Sequence, residues 1–109
     1  MLFRSVLAAP DRPKAVFCFA DSIAYGVYAA ARELGLAIPA DLSVVGYDAH
    51  PMSALLTPGL TTVDWDLDGI VRQATRLAVA QIEGRSERLR FLRRPTLAVR
   101  ASTAPPAAW

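Results

Sequence analysis

Apolar positions along this chain follow two rhythms. Leu2, Phe3, Val6 and Leu7 recur at helical spacing and stop at Pro10, which predicts a helix closed by the turn at 10–13. Residues 15–19, AVFCF, form an unbroken apolar run between turn residues. Such a run suits a strand buried on both faces, as in a parallel sheet. Ile23, Val27, Ala30 and Leu34 then mark one helical stripe. Asp21 stands where an N-cap belongs, and Gly35 and Pro39 stop the helix.

The alternation continues. Residues 42–47, LSVVGY, predict a second strand, and residues 51–56 a short helical turn before Pro58-Gly59. Residues 60–65 predict a third strand. Residues 66–83 predict a helix with Leu67, Ile70, Val71, Ala74, Leu77, Ala78 and Ile82 on its apolar face, ended by Gly84. A charged loop at 85–90 follows, then two short strands, Phe91-Leu92 and 97–99, around Pro95. The tail at 104–109 is rich in Pro and Ala and is expected to fray. Strands that alternate with helices predict an α/β fold, a parallel sheet with flanking helices.

Composition narrows the function. The 109 residues are 53% apolar and 20% charged, which excludes a disordered acidic or basic tail. Twelve basic against ten acidic residues give a net charge of +2, too little to imply nucleic acid. A single cysteine, Cys18, excludes an internal disulfide, so a cytoplasmic location is expected. Cys18 itself reads as inert core. No apolar run is long enough to cross a bilayer, and no membrane contact is expected. His50 has no Cys or His at ligand spacing, Ser22 has no nucleophile frame, and Gly26, Gly35 and Gly46 do not make a phosphate loop. Arg85, Arg88, Arg90, Arg93 and Arg94 read as a solvated loop. The expectation is therefore no enzyme, no metal and no cofactor.

In an open parallel sheet, ligands bind beyond the carboxyl ends of the strands. Those ends here are Ala20-Asp21, Asp48 and Trp65. A carboxylate accepts several hydrogen bonds from hydroxyls, and an indole offers a flat face and one donor. The set suits a sugar, a nucleoside or a similar ring. Each residue also has a plainer explanation: Asp21 as a cap, Asp48 as a turn residue, Trp65 as core.

Four segments resemble the lac-repressor-type (LacI/GalR) family of bacterial transcription regulators. Residues 15–21 are similar to its "AVFCANDxxA" junction, and residues 34–48 to "LGLxVPxDxSVVGYDD". Residues 56–63 are similar to "LTPPLTTV", and residues 99–106 to "VRESTAPP". The resemblance implies part of a lobe of the type-I periplasmic-binding-protein fold, which binds a small effector such as a sugar or nucleobase. The aspartate ending the "GYD" strand is an effector contact in the family and corresponds to Asp48. The family's Asn before Asp21 is here Ala20, which removes a hydrogen bond. Trp65 stands where a polar residue is frequent and would favour stacking on a ring, with Leu67 as an apolar wall. Ala49 replaces a common Asp or Asn.

The resemblance also implies a homodimer surface on the helix after Asp21 and the Leu55-Leu56 turn, with Tyr25 and Tyr28 contributing. The family's N-terminal helix-turn-helix has no counterpart here, so operator DNA is expected to be contacted only through a region absent from this chain. On this reading residues 1–12 are the remainder of an upstream helix and turn, and 13–103 belong to the C-terminal lobe. The competing expectations are a fragment of a sugar-transport solute-binding protein, or a remnant without function.

Overall fold

The computed structural model describes residues 2–85 and 91–106. In chain order they form α1 (Leu2–Ala8), β1 (Ala15–Phe17), α2 (Asp21–Glu33), β2 (Ser43–Tyr47), a 3-10 turn (Pro51–Leu55), β3 (Thr61–Asp64), α3 (Leu67–Ile82) and β4 (Thr96–Ala98). β1, β2 and β3 are adjacent and parallel. β4 lies beside β3 and runs antiparallel to it, with Thr96 opposite Asp64 and Ala98 opposite Thr62. The sheet is therefore mixed rather than wholly parallel. The chain leaves β3 at Asp64 and re-enters the sheet at the same end, so its return strand has to run the other way.

The core lies between the sheet and α2. Ala24, Val27, Ala30 and Ala31 of α2 meet Cys18, Leu42, Val44 and Leu60, and Leu7 of α1 closes one side. Full burial of each Leu or Val is worth about 1.5–3 kcal/mol. The sequence stripe is only partly the buried face: Val27 and Ala30 are buried, while Ile23 and Leu34 are half-buried. α2 ends as its sequence requires. Gly35 takes a left-handed φ of 69°, and the Leu36 and Gly35 N–H groups donate to the Ala31 and Arg32 carbonyls at 2.8 and 3.2 Å. This double closure uses carbonyls that the last turn leaves without partners.

Two expectations need correction. β1 is not buried on both faces: Val16 and Cys18 point to the core, but Phe17 and Phe19 are 68% and 87% exposed. β1 is an edge strand, with no described strand beside its outer edge. Phe91-Leu92 is not a strand: among the described residues it pairs with no strand, and Leu92 is 88% exposed. The charged loop falls mostly on 86–90, outside the described residues, as do 107–109 of the tail.

α3 begins and ends where its pattern predicts, with Asp66 as N-cap and Glu83 as C-cap. It does not pack on the sheet as a crossover helix would. Leu67, Val71, Val79 and Ile82 stay exposed. The described residues extend over 61 × 29 × 24 Å with a radius of gyration of 18.5 Å, against about 13 Å for a compact domain of this length. α3 is thus an arm standing off the lobe.

Candidate functional site

The carboxyl ends of β2 and β3 bring two of the expected residues together. The Trp65 indole Nε1–H donates to Asp48 Oδ1 at 3.2 Å. Asp48 is exposed and Trp65 half-buried, so both present surface to solvent. Asp48 continues the β2–β3 ladder through its own N–H, which donates to the Val63 carbonyl at 3.0 Å. Its φ is 121° and that of Ala49 is 50°. A non-glycine residue at such angles is strained by about 1–3 kcal/mol and persists only where its surroundings hold it. Leu67, at the start of α3, is half exposed beyond Trp65, and Ala20 is half-buried at the end of the first strand segment. Neither Ala20 nor Ala49 carries a polar side chain, so Asp48 is the charged acceptor among these site residues.

Asp21 proves to be neither a cap nor a surface contact. Ala20 takes the N-cap position, extended at φ −150° and without a side-chain hydrogen bond, and Asp21 is the first residue of α2. Its carboxylate turns inward and is 1% exposed. Oδ2 accepts from the Ser53 hydroxyl at 2.6 Å and from the His50 N–H at 2.8 Å. Oδ1 accepts from the Thr62 hydroxyl at 2.6 Å. Ser53 Oγ spends its one proton on Asp21, so the Tyr25 hydroxyl 2.9 Å away must be the donor to Ser53. Thr62 Oγ1 in turn accepts from the Ala49 N–H at 3.2 Å. The start of α2 also favours a negative charge there.

Asp21 therefore ties α2, the loop after β2 and β3 into one knot directly beneath Asp48. The loop residues that the knot holds, Ala49 and His50, immediately follow the strained Asp48. Thr62 and Ser53 were not singled out from sequence. The signal available was Gly46, buried beside the carboxylate, where any side chain would collide with Asp21 Oδ1.

Cys18 lies below this network. Burial first, and the Asp21 charge second, push its thiol above its ordinary range. It is a free, buried cysteine, consistent with a core role.

The expected dimer residues are divided. The Tyr25 hydroxyl is engaged by Ser53, and Tyr28 donates to the Pro58 carbonyl at 2.9 Å. Leu56 packs half-buried against the core, while Leu55 is 74% exposed. A groove of about 350 Å³ runs between α1 and β1, lined by Leu2, Phe3, Val6 and Phe17 among others. A wider one of about 620 Å³ lies between α2 and the Leu56–Pro58 segment. Both are away from Asp48 and Trp65, which sit on an open face. Among the described residues there is no cluster of metal-ligating side chains and no helix long and apolar enough to cross a membrane.

Comparison with known proteins gives concordant matches. Residues 1–103 match the family model of the periplasmic binding protein-like domain. The HTH-type transcriptional repressor PurR of Pectobacterium carotovorum is 38% identical over 100 residues, 91% of this chain and 29% of that repressor. The chain thus spans less than a third of that relative's length. A LacI family transcriptional regulator of Enterococcus faecium, solved with bound ribose, superposes with a TM-score of 0.88 at 27% identity, covering 97% of this chain and 39% of the regulator. The dimeric Lac repressor with an 11-residue C-terminal deletion gives a TM-score of 0.87 at 28% identity, with 97% and 39% coverage.

Proposed function

This chain belongs to the periplasmic binding protein-like domain family, among the LacI-type regulators, and from that membership we propose that it is the effector-binding and dimerisation portion of a LacI-type transcriptional repressor. The observation that carries the effector reading is the Asp48–Trp65 pair on the open carboxyl edge. Asp48 accepts from hydroxyl or ring N–H groups of a small molecule, and the Trp65 ring lies against its flat or apolar face. Leu67 supplies an apolar wall. Ribose is bound by the similar E. faecium regulator, and the flat Trp65 ring suits a planar base, so a pentose and a nucleobase are the ligand classes to test.

Leu55, with Leu56 and the ring faces of Tyr25 and Tyr28, forms the dimer surface in this reading, by analogy with the dimeric Lac repressor. Operator DNA is contacted by another part of the longer protein. Effector binding alters repression only if it binds one conformation more tightly than the other.

The test is calorimetric titration of the chain with ribose, hypoxanthine and adenine. One of them binds, and Asp48→Ala weakens that binding about tenfold or more, the equivalent of one charge-assisted hydrogen bond. Equal affinity of Asp48→Ala and the unaltered chain removes Asp48 from the site.

A further inference from the structure

His50 is the chain's single histidine, and its ring makes a contact that a proton would undo. It stands at the N-cap of the 3-10 turn Pro51–Leu55. Pro51 has no N–H, so Met52 brings the first donor that the turn leaves without a partner of its own. The His50 ring nitrogen Nδ1 accepts that N–H at 3.2 Å. The His50 carbonyl accepts the Ser53 N–H at 2.9 Å, and the His50 N–H donates to Asp21 Oδ2 at 2.8 Å. One residue thus fastens the turn to itself and to α2. The backbone before it is left-handed at Asp48 and Ala49, so these bonds hold a turn that begins in strained backbone. Ser53, in the middle of the turn, is out of solvent, while Leu55 at its end is 74% exposed.

A backbone N–H can only donate. An Nδ1 that receives one carries no proton, so the neutral ring holds its proton on Nε2. Protonation gives both ring nitrogens a hydrogen. Nδ1–H and the Met52 N–H would then face each other, two donors at 3.2 Å. Either the ring turns away or the turn opens. Turning away also takes the ring off Tyr25, whose ring lies 6.5 Å from it, centre to centre, at 76°. His50 is exposed, so protons reach it from solvent. The ionisable groups brought to it are Asp21 and Tyr25 of α2 and Asp48 at the end of β2. Each is already engaged: Asp21 by three donors, the Tyr25 hydroxyl by Ser53 and Asp48 by the Trp65 indole. We propose that His50 is a proton-sensitive cap, and that its protonation loosens the turn that carries Leu55. The consequence for association rests on the reading of Leu55 as part of a dimer surface; the cap does not.

Nuclear magnetic resonance of the unaltered chain reads the cap directly. At about pH 7.5 the His50 Nδ1 signal is expected to be that of an unprotonated, accepting nitrogen. Lowering the pH to about 5.5 crosses the range in which histidine ordinarily changes charge. The protection of the Met52 N–H from exchange, corrected for the intrinsic pH dependence of exchange, should then fall about fivefold, as the loss of one cap implies. His50→Asn keeps a capping oxygen that does not titrate, so its Met52 protection should be the same at both pH values. His50→Ala should show the low protection at both. If His50→Ala fails to fold, His50→Asn against the unaltered chain decides alone.

Sedimentation equilibrium then reads the surface. A two-fold dimer takes one turn from each copy, so its dissociation constant is expected to rise by between about 5- and 25-fold from about pH 7.5 to about pH 5.5 in the unaltered chain, and not in His50→Asn. Met52 protection that ignores pH, or that falls equally in His50→Asn, overturns the cap. A pH-dependent cap with a pH-independent dimer overturns its link to association. A chain that stays monomeric at both pH values strikes the dimer reading and with it that link, but leaves the Met52 result standing.

Discussion

Gly46 and Asp21 divide one small volume between them. A Cβ on residue 46 would fall on Asp21 Oδ1 and come within 3.0 Å of Leu60 Cδ2. Neither neighbour has room to withdraw, because Asp21 is held by three donors and Leu60 is fully buried. Gly46→Ala is expected to destabilise the fold by about 1–3 kcal/mol, the range of overpacking in a closed core. Urea denaturation monitored by circular dichroism reads this as a lowered midpoint. A midpoint equal to that of the unaltered chain would show that the carboxylate relaxes freely.

The same knot predicts the effect of removing its acceptor. Asp21→Ala leaves the Ser53 and Thr62 hydroxyls and the His50 N–H without their partner in a buried place. The loss is expected to reach about 3 kcal/mol or more, since each hydrogen bond to a charged group is worth about 1.5–3 kcal/mol. Asp21→Asn keeps one acceptor oxygen and should lose less. The same denaturation series ranks the two.

Stability and binding should part company at Asp48. Its φ of 121° is readily accessible to glycine alone. Asp48→Gly is expected to raise stability by up to about 1 kcal/mol while weakening effector binding about tenfold or more, as Asp48→Ala does. Thermal melting and calorimetric titration of one preparation decide it. A destabilised Asp48→Gly would mean that the side chain stabilises the loop more than its backbone strains it.

Alkaline pH should weaken the fold. Burial raises both the Cys18 thiol and the Tyr28 phenol above their ordinary ranges, with the Asp21 charge adding to the first. Both groups are neutral when protonated and hold protons more tightly in the folded state. Their contribution is complete below the unfolded values, about 8.5 and 10, and is lost as pH rises through the folded ones. The melting temperature is therefore expected to fall from about pH 8.5 upward. Ellman's reagent should react with Cys18 far more slowly in native than in denatured chain.

Ser102 joins the end of the chain to the sheet. Its hydroxyl donates to the Val44 carbonyl at 2.5 Å and accepts from the Thr61 N–H at 2.8 Å, entirely out of solvent. Ser102→Ala leaves both groups unpaired, so a loss of about 1–3 kcal/mol is expected. Hydrogen exchange should speed up at the Thr61 N–H before it does in α2.

Local chemistry was legible from the residues, and coverage was not. The bounds of α3, the stop of α2 at Gly35 and the turn at Pro51 follow from caps, periodicity and proline, which act within a few residues. Phe17 and Phe19 looked like core because a run of apolar residues says nothing about whether a second layer exists to cover it. The direction of β4 depended on α3 standing off the sheet, which periodicity does not encode. The meeting of Asp48 and Trp65 on one edge was legible because strand ends mark one edge of a parallel sheet. Asp21 was placed on that edge too, yet it turns inward, because the extended Ala20 takes the cap position and begins α2 one residue earlier. Ser53 and Thr62 carry no distinctive pattern, being small hydroxyl residues that turn sites and structural sites share.

The knot around Asp21 has a thermodynamic consequence for any ligand that Asp48 receives. Loops that must be ordered on association lower affinity, because the conformational freedom they lose offsets part of the attraction to the ligand. Here the backbone after Asp48 is already fixed by the bonds from His50 to Asp21 and from Ala49 to Thr62. The acceptor is pre-organised before a ligand arrives, at the expense of folding rather than of binding. Loosening the knot should therefore appear in titration as a more unfavourable binding entropy, even at residues a ligand never touches.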